Sequence, residues 1–196
     1  ASADSLVGGS GADSFIGFAG ADKIVGGGGV DVIVLSATSA DLISAADANI
    51  VGVESISAAG ADAGVSITLT GQTEGFTLTG SDYADVLTGT RAADRISAGA
   101  GNDTIVGMLG ADTIDGGAGA DNISITGTSV DLNTADDGQL VSVESVTLDA
   151  ASPSSTAAVE LDLSRQLEGF TIYAASKVSN KISGGKGADK IIGGAG

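Results

Sequence analysis

Aspartates recur with a fixed nine-residue spacing, and they are the residues of this chain whose type and position best suit chemistry. Ten of the 25 acidic residues share this spacing and its phase. They are Asp4, Asp13, Asp22, Asp31, Asp85, Asp94, Asp103, Asp112, Asp121 and Asp189. Regularly placed carboxylates can transfer protons or provide oxygen ligands for hard cations. An acidic surface that served only solubility would scatter its acids, so the shared phase indicates a specific role.

Each of these aspartates ends a six-residue stretch suited to a turn and precedes three residues suited to a strand. The unit that begins at Gly8 reads GGSGAD followed by SFI, with Phe15 in the middle of the strand part. Glycine tolerates positive φ, so the first part can turn tightly, whereas the second part places one large side chain inward. Two units therefore predict one flattened coil, with strands in two parallel sheets and an aspartate in each turn.

The unit resembles G-G-x-G-x-D-x-U-x, in which U is a large apolar residue, the nonapeptide of the RTX (repeats-in-toxin) family. This resemblance implies an all-β fold, a right-handed parallel β-roll whose turns hold Ca²⁺ between loops one coil apart. The ligands would be carboxylates and backbone carbonyls, and the absence of His and Cys disfavours zinc or copper. Tyr83, Ala92 and Ala98 replace glycines and Asn180 replaces an aspartate, so we expect weaker sites there.

The resemblance also implies which residues bind the ions. The expected aspartate pairs are Asp4/Asp22, Asp13/Asp31, Asp85/Asp103, Asp94/Asp112 and Asp103/Asp121. With a further site near Asp189, they predict about five or six Ca²⁺ ions. Carbonyl ligands are expected from Gly9, Gly11, Gly20, Gly27, Gly29, Gly99, Gly101, Gly110, Gly117, Gly119, Gly185 and Gly187.

Two segments without nonapeptides resemble each other. The first reads VGVESIS and later TEGFTL; the second reads VSVESVT and later LEGFTI. Their alternating apolar residues predict strands, with short helical turns near 40–48 and 132–139. We expect both to form wider coils of one continuous elongated solenoid. The chain then divides into array 1 (1–34), insert 1 (35–79), array 2 (80–124), insert 2 (125–174) and array 3 (175–196).

Charge limits the possible partners. The net charge of −17 disfavours nucleic acid and anionic membranes, and no apolar run is long enough for membrane insertion. No residue pattern supports carbohydrate binding. Five of the eight basic residues lie near the C-terminal end: Arg165, Lys177, Lys181, Lys186 and Lys190. A basic end that meets an acidic face of another copy would favour self-association into a surface lattice.

Catalysis is not expected. The chain has no His or Cys, and it lacks the G-x-S-x-G motif of a serine hydrolase. A glycosidase would need only two carboxylates. However, Glu54 recurs as Glu144 and Glu74 recurs as Glu168, which suits a structural or turn role better than one active site.

Two classes of function remain open. The first is a calcium-binding structural domain of a secreted bacterial cell-surface protein, of S-layer or adhesin type, exported by Gram-negative type I secretion. The Ala/Ser/Thr/Gly-rich composition, the absence of Cys and the large repeated unit favour it. The alternative is the C-terminal folding and secretion module of a type I secreted enzyme or toxin. Because the chain opens and ends inside repeats, we expect it to be a segment of a longer protein.

Overall fold

The structure is a computed structural model that describes residues 2–149, 157–175 and 178–194. In these ranges the chain forms an all-β parallel solenoid of about nine coils, which confirms the predicted fold class. Its strands are β1 (Ser5–Gly9), β2 (Ser14–Ile16), β3 (Lys23–Gly27), β4 (Val32–Val34), β5 (Ile50–Val51), β6 (Ser55–Ser57), β7 (Ser66–Thr68), β8 (Thr77–Thr79), β9 (Val86–Thr88), β10 (Arg95–Ser97), β11 (Thr104–Val106), β12 (Thr113–Asp115), β13 (Asn122–Ile125), β14 (Leu140–Val141), β15 (Ser145–Leu148), β16 (Val159–Asp162), β17 (Thr171–Tyr173), β18 (Asn180–Ser183) and β19 (Lys190–Ile192).

Successive strands belong to opposite faces of the solenoid. Odd-numbered strands form one face, in the sheets β1-β3-β5 and β7 through β19. Even-numbered strands form the other face, in the sheets β2 through β14 and β16-β18. Each pairing is parallel and joins equivalent positions one coil apart; Ile96 of β10, for example, lies opposite Ile114 of β12. One coil therefore consists of two strands and two turns, as the nonapeptide pattern predicts.

The core is a pair of rows of apolar side chains, one from each face. The middle residue of each short strand points inward, and those of the central coils are at most 2% exposed. On the even face the inward residues are Ile33, Ile56, Leu78, Ile96 and Ile114. On the odd face they are Ile24, Ile50, Ile67, Leu87, Ile105, Ile123, Val146 and Ile172. Each buried side chain contributes about 1.5–3 kcal/mol to stability. A narrow core without Trp can therefore stabilise the stack once the polar groups of the turns are paired.

Each insert contains a helix and a 3₁₀ turn and forms a wider coil. Insert 1 contains the helix α1 (Ala40–Ile43) and a 3₁₀ turn (Asp47–Asn49) between β4 and β5. Insert 2 contains α2 (Val130–Thr134) and a 3₁₀ turn (Asp137–Gln139) between β13 and β14. These helices confirm the predicted helical turns, and within the described ranges no helix is long and apolar enough to span a membrane. Because β4 pairs with β6 and β13 pairs with β15, the sheets continue across each insert.

An array and the insert that follows it form one large unit, which occurs twice. The two copies differ by half a turn about the solenoid axis. Equivalent strands of the copies, such as β4 and β13, are nine strands apart and therefore lie on opposite faces. We call the side where an odd-numbered strand leads to the next even-numbered strand the first edge, and the other side the second edge. A turn on the first edge in one copy thus corresponds to a turn on the second edge in the other.

Candidate calcium-binding turns

Hydrogen bonds join the predicted aspartates from one coil to the next. In each of the five predicted pairs, the backbone N–H of the earlier aspartate donates to Oδ1 of the later one. The distances are 2.9 Å for Asp4/Asp22, 2.8 Å for Asp13/Asp31, 2.7 Å for Asp85/Asp103, 2.9 Å for Asp94/Asp112 and 2.8 Å for Asp103/Asp121. The structure therefore brings all five pairs together. Oδ2 is left for a second interaction, and that interaction differs between turns.

In four turns Oδ2 is buried and has no hydrogen-bond partner. These are the turns that end at Asp13, Asp31, Asp103 and Asp121, and we call them the open turns. Asp31 and Asp121 are 0% exposed, and Asp103 is 1% exposed. A buried carboxylate oxygen without a donor is unfavourable by several kcal/mol unless a cation or a proton is supplied. These four atoms are therefore the strongest candidates for metal ligands in the described part of the chain.

The open turns share a glycine at the second position of the nonapeptide. These glycines are Gly9, Gly27, Gly99 and Gly117, whose φ angles of 129°, 110°, 110° and 92° lie in the region that disfavours side chains. With the backbone in this conformation, no N–H group of the turn reaches Oδ2. The second glycine therefore keeps the carboxylate available to an external ligand.

In the other four internal turns the protein itself satisfies Oδ2, and we call these the capped turns. The N–H groups of Ser81 and Thr90 donate to Oδ2 of Asp85 and Asp94, both at 2.6 Å. The N–H groups of Ala19 and Leu109 donate to Oδ2 of Asp22 and Asp112, both at 3.1 Å. The second position here holds Phe18, Ser81, Thr90 or Met108, all of them buried. A side chain at this position thus accompanies a carboxylate that needs no ion.

Backbone carbonyls of the next coil face the open carboxylates. A Cβ added to Gly26 would overlap both Oδ2 of Asp31 and the carbonyl oxygen of Gly52. A Cβ on Gly116 would likewise overlap Oδ2 of Asp121 and the carbonyl oxygen of Ser142. Two oxygens from successive coils therefore border the same small space. Carboxylate and carbonyl oxygens are the ligands that Ca²⁺ prefers, so these residues fit the ion that the repeat implies.

Several of the predicted glycine carbonyls lie against the next coil. In the open turns, a Cβ on Gly29 or Gly119 would overlap the carbonyl oxygen of Gly11 or Gly101, so these carbonyls face the next coil. Gly9 and Gly99 direct their carbonyls to N–H groups of the next coil, and each carbonyl oxygen retains a second lone pair. Among the described residues no three acidic side chains are grouped so that they could hold a metal ion, so an ion here depends on such carbonyls.

Gly20 and Gly110, in capped turns, have a different role. Their N–H groups donate to Asp41 and Asp131 at 2.7 and 3.0 Å, which anchors the start of α1 and of α2.

The outer candidates have fewer partners. Asp189 is partly exposed, and its Oδ1 accepts the N–H of Phe170 instead of that of an aspartate. Gly185 and Gly187 lie against Gln166 and Glu168, so this turn stacks on insert 2. Asn180 donates through its side chain to the carbonyls of Ala175 and Val178 and closes its own turn. Asp4 is exposed.

Burial raises the pKa of several of these carboxyl groups. The pKa of Asp103 is raised to about 6, chiefly by burial and further by the negative Asp121 and Asp85; the hydrogen bond from Asp85 opposes the shift. Burial also raises the pKa of Asp112 to about 6 and raises that of Asp121. The stacked carboxylates are therefore destabilised in their charged form, and a cation would remove that penalty.

Sequence reasoning gave Glu54 and Glu144 no metal role, yet they extend the aspartate rows. Oε2 of Glu54 accepts the N–H of Asp31 at 2.8 Å, and Oε2 of Glu144 accepts the N–H of Asp121 at 2.7 Å. Each glutamate thus takes the position of the next aspartate in its stack. The shared V-x-V-E-S motif, 23 residues after the aspartate, is the signal that could have identified them.

The family comparison agrees with this geometry. The model of the RTX calcium-binding nonapeptide repeat matches in four copies, at residues 1–33, 79–114, 99–124 and 179–196. These ranges cover about half of the chain and include all ten aspartates. No curated protein and no solved structure matches the chain. RTX repeats occur in secreted proteins of Gram-negative bacteria, and their β-roll is a structural calcium-binding fold. The stacked aspartate turns and this match together place the chain in the RTX calcium-binding repeat family.

Proposed function

We propose that this chain is a calcium-binding structural domain of a secreted bacterial cell-surface protein, of S-layer or adhesin type, that folds when it meets extracellular Ca²⁺. The observation that carries the calcium role is the set of four buried Oδ2 atoms without a donor. A fold that needed no ion would have capped these oxygens, as it does at Asp22, Asp85, Asp94 and Asp112.

Stacking brings like charges together, and this explains why folding depends on the ion. Successive turns of a parallel sheet lie about 4.8 Å apart, so their carboxylates repel one another. The net charge of −17 adds repulsion over the whole molecule. Bound Ca²⁺ would supply the positive charge and join oxygens of two coils. Since the site exists only in the stacked state, its binding free energy becomes folding free energy.

The ions would bind unequally. Asp13 with Asp31, and Asp103 with Asp121, would provide the tightest sites, because both turns of each pair are open. For Asp103 this differs from the weaker site expected from Ala98, because the second residue of that turn, Gly99, leaves Oδ2 open. The sites predicted at Asp4/Asp22 and Asp94/Asp112 would bind more weakly, because an ion there must displace an N–H group from a carboxylate.

The test of calcium-dependent folding is a titration of the metal-free protein followed by circular dichroism and calorimetry. We expect an expanded chain in EGTA and a cooperative gain of β-structure as Ca²⁺ is added. A compact, fully folded protein in EGTA, with no heat of calcium binding, would contradict the proposed function.

Assembly into a surface lattice is the second part of the proposal. Of the basic residues near the C-terminal end, Arg165 pairs with Asp136 and Lys181 pairs with Glu160, while Lys177 lies outside the described residues. Lys186 and Lys190 are exposed and would meet an acidic face of another copy. Electron microscopy and light scattering should show ordered oligomers with Ca²⁺ that dissociate in EGTA. Monomers at millimolar Ca²⁺ and high protein concentration would instead favour a folding and secretion module.

A further inference from the structure

We propose that each row of calcium sites ends on a glutamate from an insert: Glu54 in the first row and Glu144 in the second. Row 1 is the stack of the Asp13 and Asp31 turns followed by residues 52–54, on the first edge. Row 2 is the stack of the Asp103 and Asp121 turns followed by residues 142–144, on the second edge. The inference rests on the proposed calcium binding and adds two sites outside the nonapeptides.

The last aspartate of each row is the main observation. Asp31 and Asp121 are completely buried, and the Oδ2 atom of each has no hydrogen-bond partner. Both atoms lie against the first glycine of their own turn, Gly26 or Gly116, where the carbonyl oxygens of Gly52 and Ser142 from the following coil border the same space. Neither oxygen could be satisfied by the other, because both are acceptors. An ion at this position would satisfy both.

The glutamate carboxylates lie at the end of the same stack. Oε2 of Glu54 accepts the N–H of Asp31, just as Oδ1 of Asp31 accepts the N–H of Asp13. The backbone also stays in register, because the N–H of Glu54 donates to the carbonyl oxygen of Asp31 at 3.2 Å. The equivalent bond from Glu144 to Asp121 is 3.1 Å. A carboxylate oxygen of the insert therefore lies at the end of the row in both copies.

A shorter turn explains why the residue is a glutamate. Only three residues, 52–54 or 142–144, join the strands here, whereas four residues (28–31) join them at the Asp31 turn and six (116–121) at the Asp121 turn. The additional methylene of glutamate extends the reach of the carboxylate across the shorter turn. Gly52 and Ser142 adopt φ angles of +60° and +53°, and for serine this left-handed conformation is unfavourable. It is retained in both copies, where it directs the carbonyl oxygen towards the buried aspartate.

Glu54 and Glu144 are exposed, unlike the buried aspartates of the open turns. The ion at the end of each row would therefore keep some water ligands and bind more weakly than the ion between two open turns. This predicts that, within each row, the ion at the row end is released before the ion between the two open turns when the Ca²⁺ concentration falls.

The test compares Glu54→Gln and Glu144→Gln with the control Glu160→Gln. Glu160 also belongs to an insert, but it lies on strand β16, where its carboxylate pairs with Lys181 and not with the N–H of a turn. Calorimetry and equilibrium dialysis of the full chain should show one Ca²⁺ fewer, or one site at least tenfold weaker, in each row variant. The double variant Glu54→Gln/Glu144→Gln should lose two. The control should bind as the unmodified chain does.

Glu54→Asp and Glu144→Asp separate a ligand from a structural acceptor. Glutamine keeps the length and an acceptor oxygen but loses the charge, whereas aspartate keeps the charge and shortens the reach. A calcium ligand predicts that glutamine removes the ion and aspartate retains a weaker one. A purely structural acceptor predicts unchanged stoichiometry with glutamine and a lower melting temperature with aspartate, and this result would overturn the inference. If the unmodified chain bound no Ca²⁺ at all, the proposed function itself would fail.

Discussion

Asp22 and Asp31 end nonapeptides of the same type in one array, yet their Oδ2 atoms differ. That of Asp22 accepts the N–H of Ala19, and that of Asp31 has no partner. The difference follows from the second residue of the unit, which is Phe18 in one case and Gly27 in the other. Phe18 is 3% exposed and belongs to the core, so in this turn a buried apolar side chain accompanies a capped carboxylate. Under the proposed calcium role, the open nonapeptides would bind ions and the capped ones would contribute packing.

Substitution of these two aspartates should separate the roles. Asp31→Asn removes the buried carboxylate charge that would bind the ion. We therefore expect loss of calcium binding in row 1 and a large fall in the melting temperature measured with Ca²⁺. Asp22→Asn, the matched control, should weaken the turn by about 1 kcal/mol through its hydrogen bonds and leave the tight calcium sites intact. Calorimetric stoichiometry and thermal melts measure both. Equal loss of ions in the two variants would show that capping does not decide calcium binding.

The raised pKa values predict how the metal-free protein responds to pH. The folded pKa of Asp103 and of Asp112 is about 6, above the ordinary value of 3.8, so the folded state binds more protons between these values. The free energy of unfolding should therefore fall as pH rises from about 4 to 6 and should not change further from these groups above pH 7. Without Ca²⁺ we expect more β-structure by circular dichroism at pH 5 than at pH 7.5. Asp103→Asn should reduce this difference, and a stability that increases over the same range would contradict the assignment.

At the scale of the turn, Gly26, the first residue of the open unit that ends at Asp31, is required by space rather than by φ. A Cβ on Gly26 would overlap the carbonyl of Gly52 as well as Oδ2 of Asp31, and a backbone group cannot move aside as a side chain can. Gly26→Ala should therefore separate the coils and abolish calcium-dependent folding of array 1. Gly60→Ala is the control, because no atom lies within 4 Å of the added carbon. Chevron or melting measurements that found both variants equally stable would show that the turns are not stacked this closely.

Local pattern was sufficient to predict most elements. The spacing of Asp and of Ile or Leu gave the strands, the two faces and the register, because side chains alternate along a strand and units repeat every coil. The inserts were predicted as wider coils with short helices from their apolar alternation and internal similarity. The division into open and capped turns was missed, because it depends on whether the second residue, such as Phe18 or Gly27, lets an N–H group reach Oδ2. Glu54 was missed because its role requires a partner 23 residues away, on the adjacent coil.

For the whole molecule, the odd number of strands in the large unit has a consequence for charge. Row 1 lies on the first edge and row 2 on the second, so the two sets of open carboxylates are on opposite sides of the solenoid. Each row also ends at an insert. The open carboxylates of one row therefore add little repulsion to those of the other.

The last prediction distinguishes ligation from screening of the net charge of −17. If Ca²⁺ acted only by reducing repulsion, about 0.5 M NaCl would fold the chain, because the Debye length is then below about 5 Å. Mg²⁺ would also replace Ca²⁺.

Ligation by buried carboxylates and carbonyls predicts a different result. Mg²⁺ demands a smaller octahedral cage and gives up its water reluctantly, whereas Ca²⁺ accepts more oxygens in irregular geometry. We expect circular dichroism at matched ionic strength to show the folded solenoid with Ca²⁺ and an expanded chain with Mg²⁺ or NaCl. Equal folding in all three solutions would mean that the buried, unpaired Oδ2 atoms of the open turns (Asp13, Asp31, Asp103 and Asp121) are not calcium ligands.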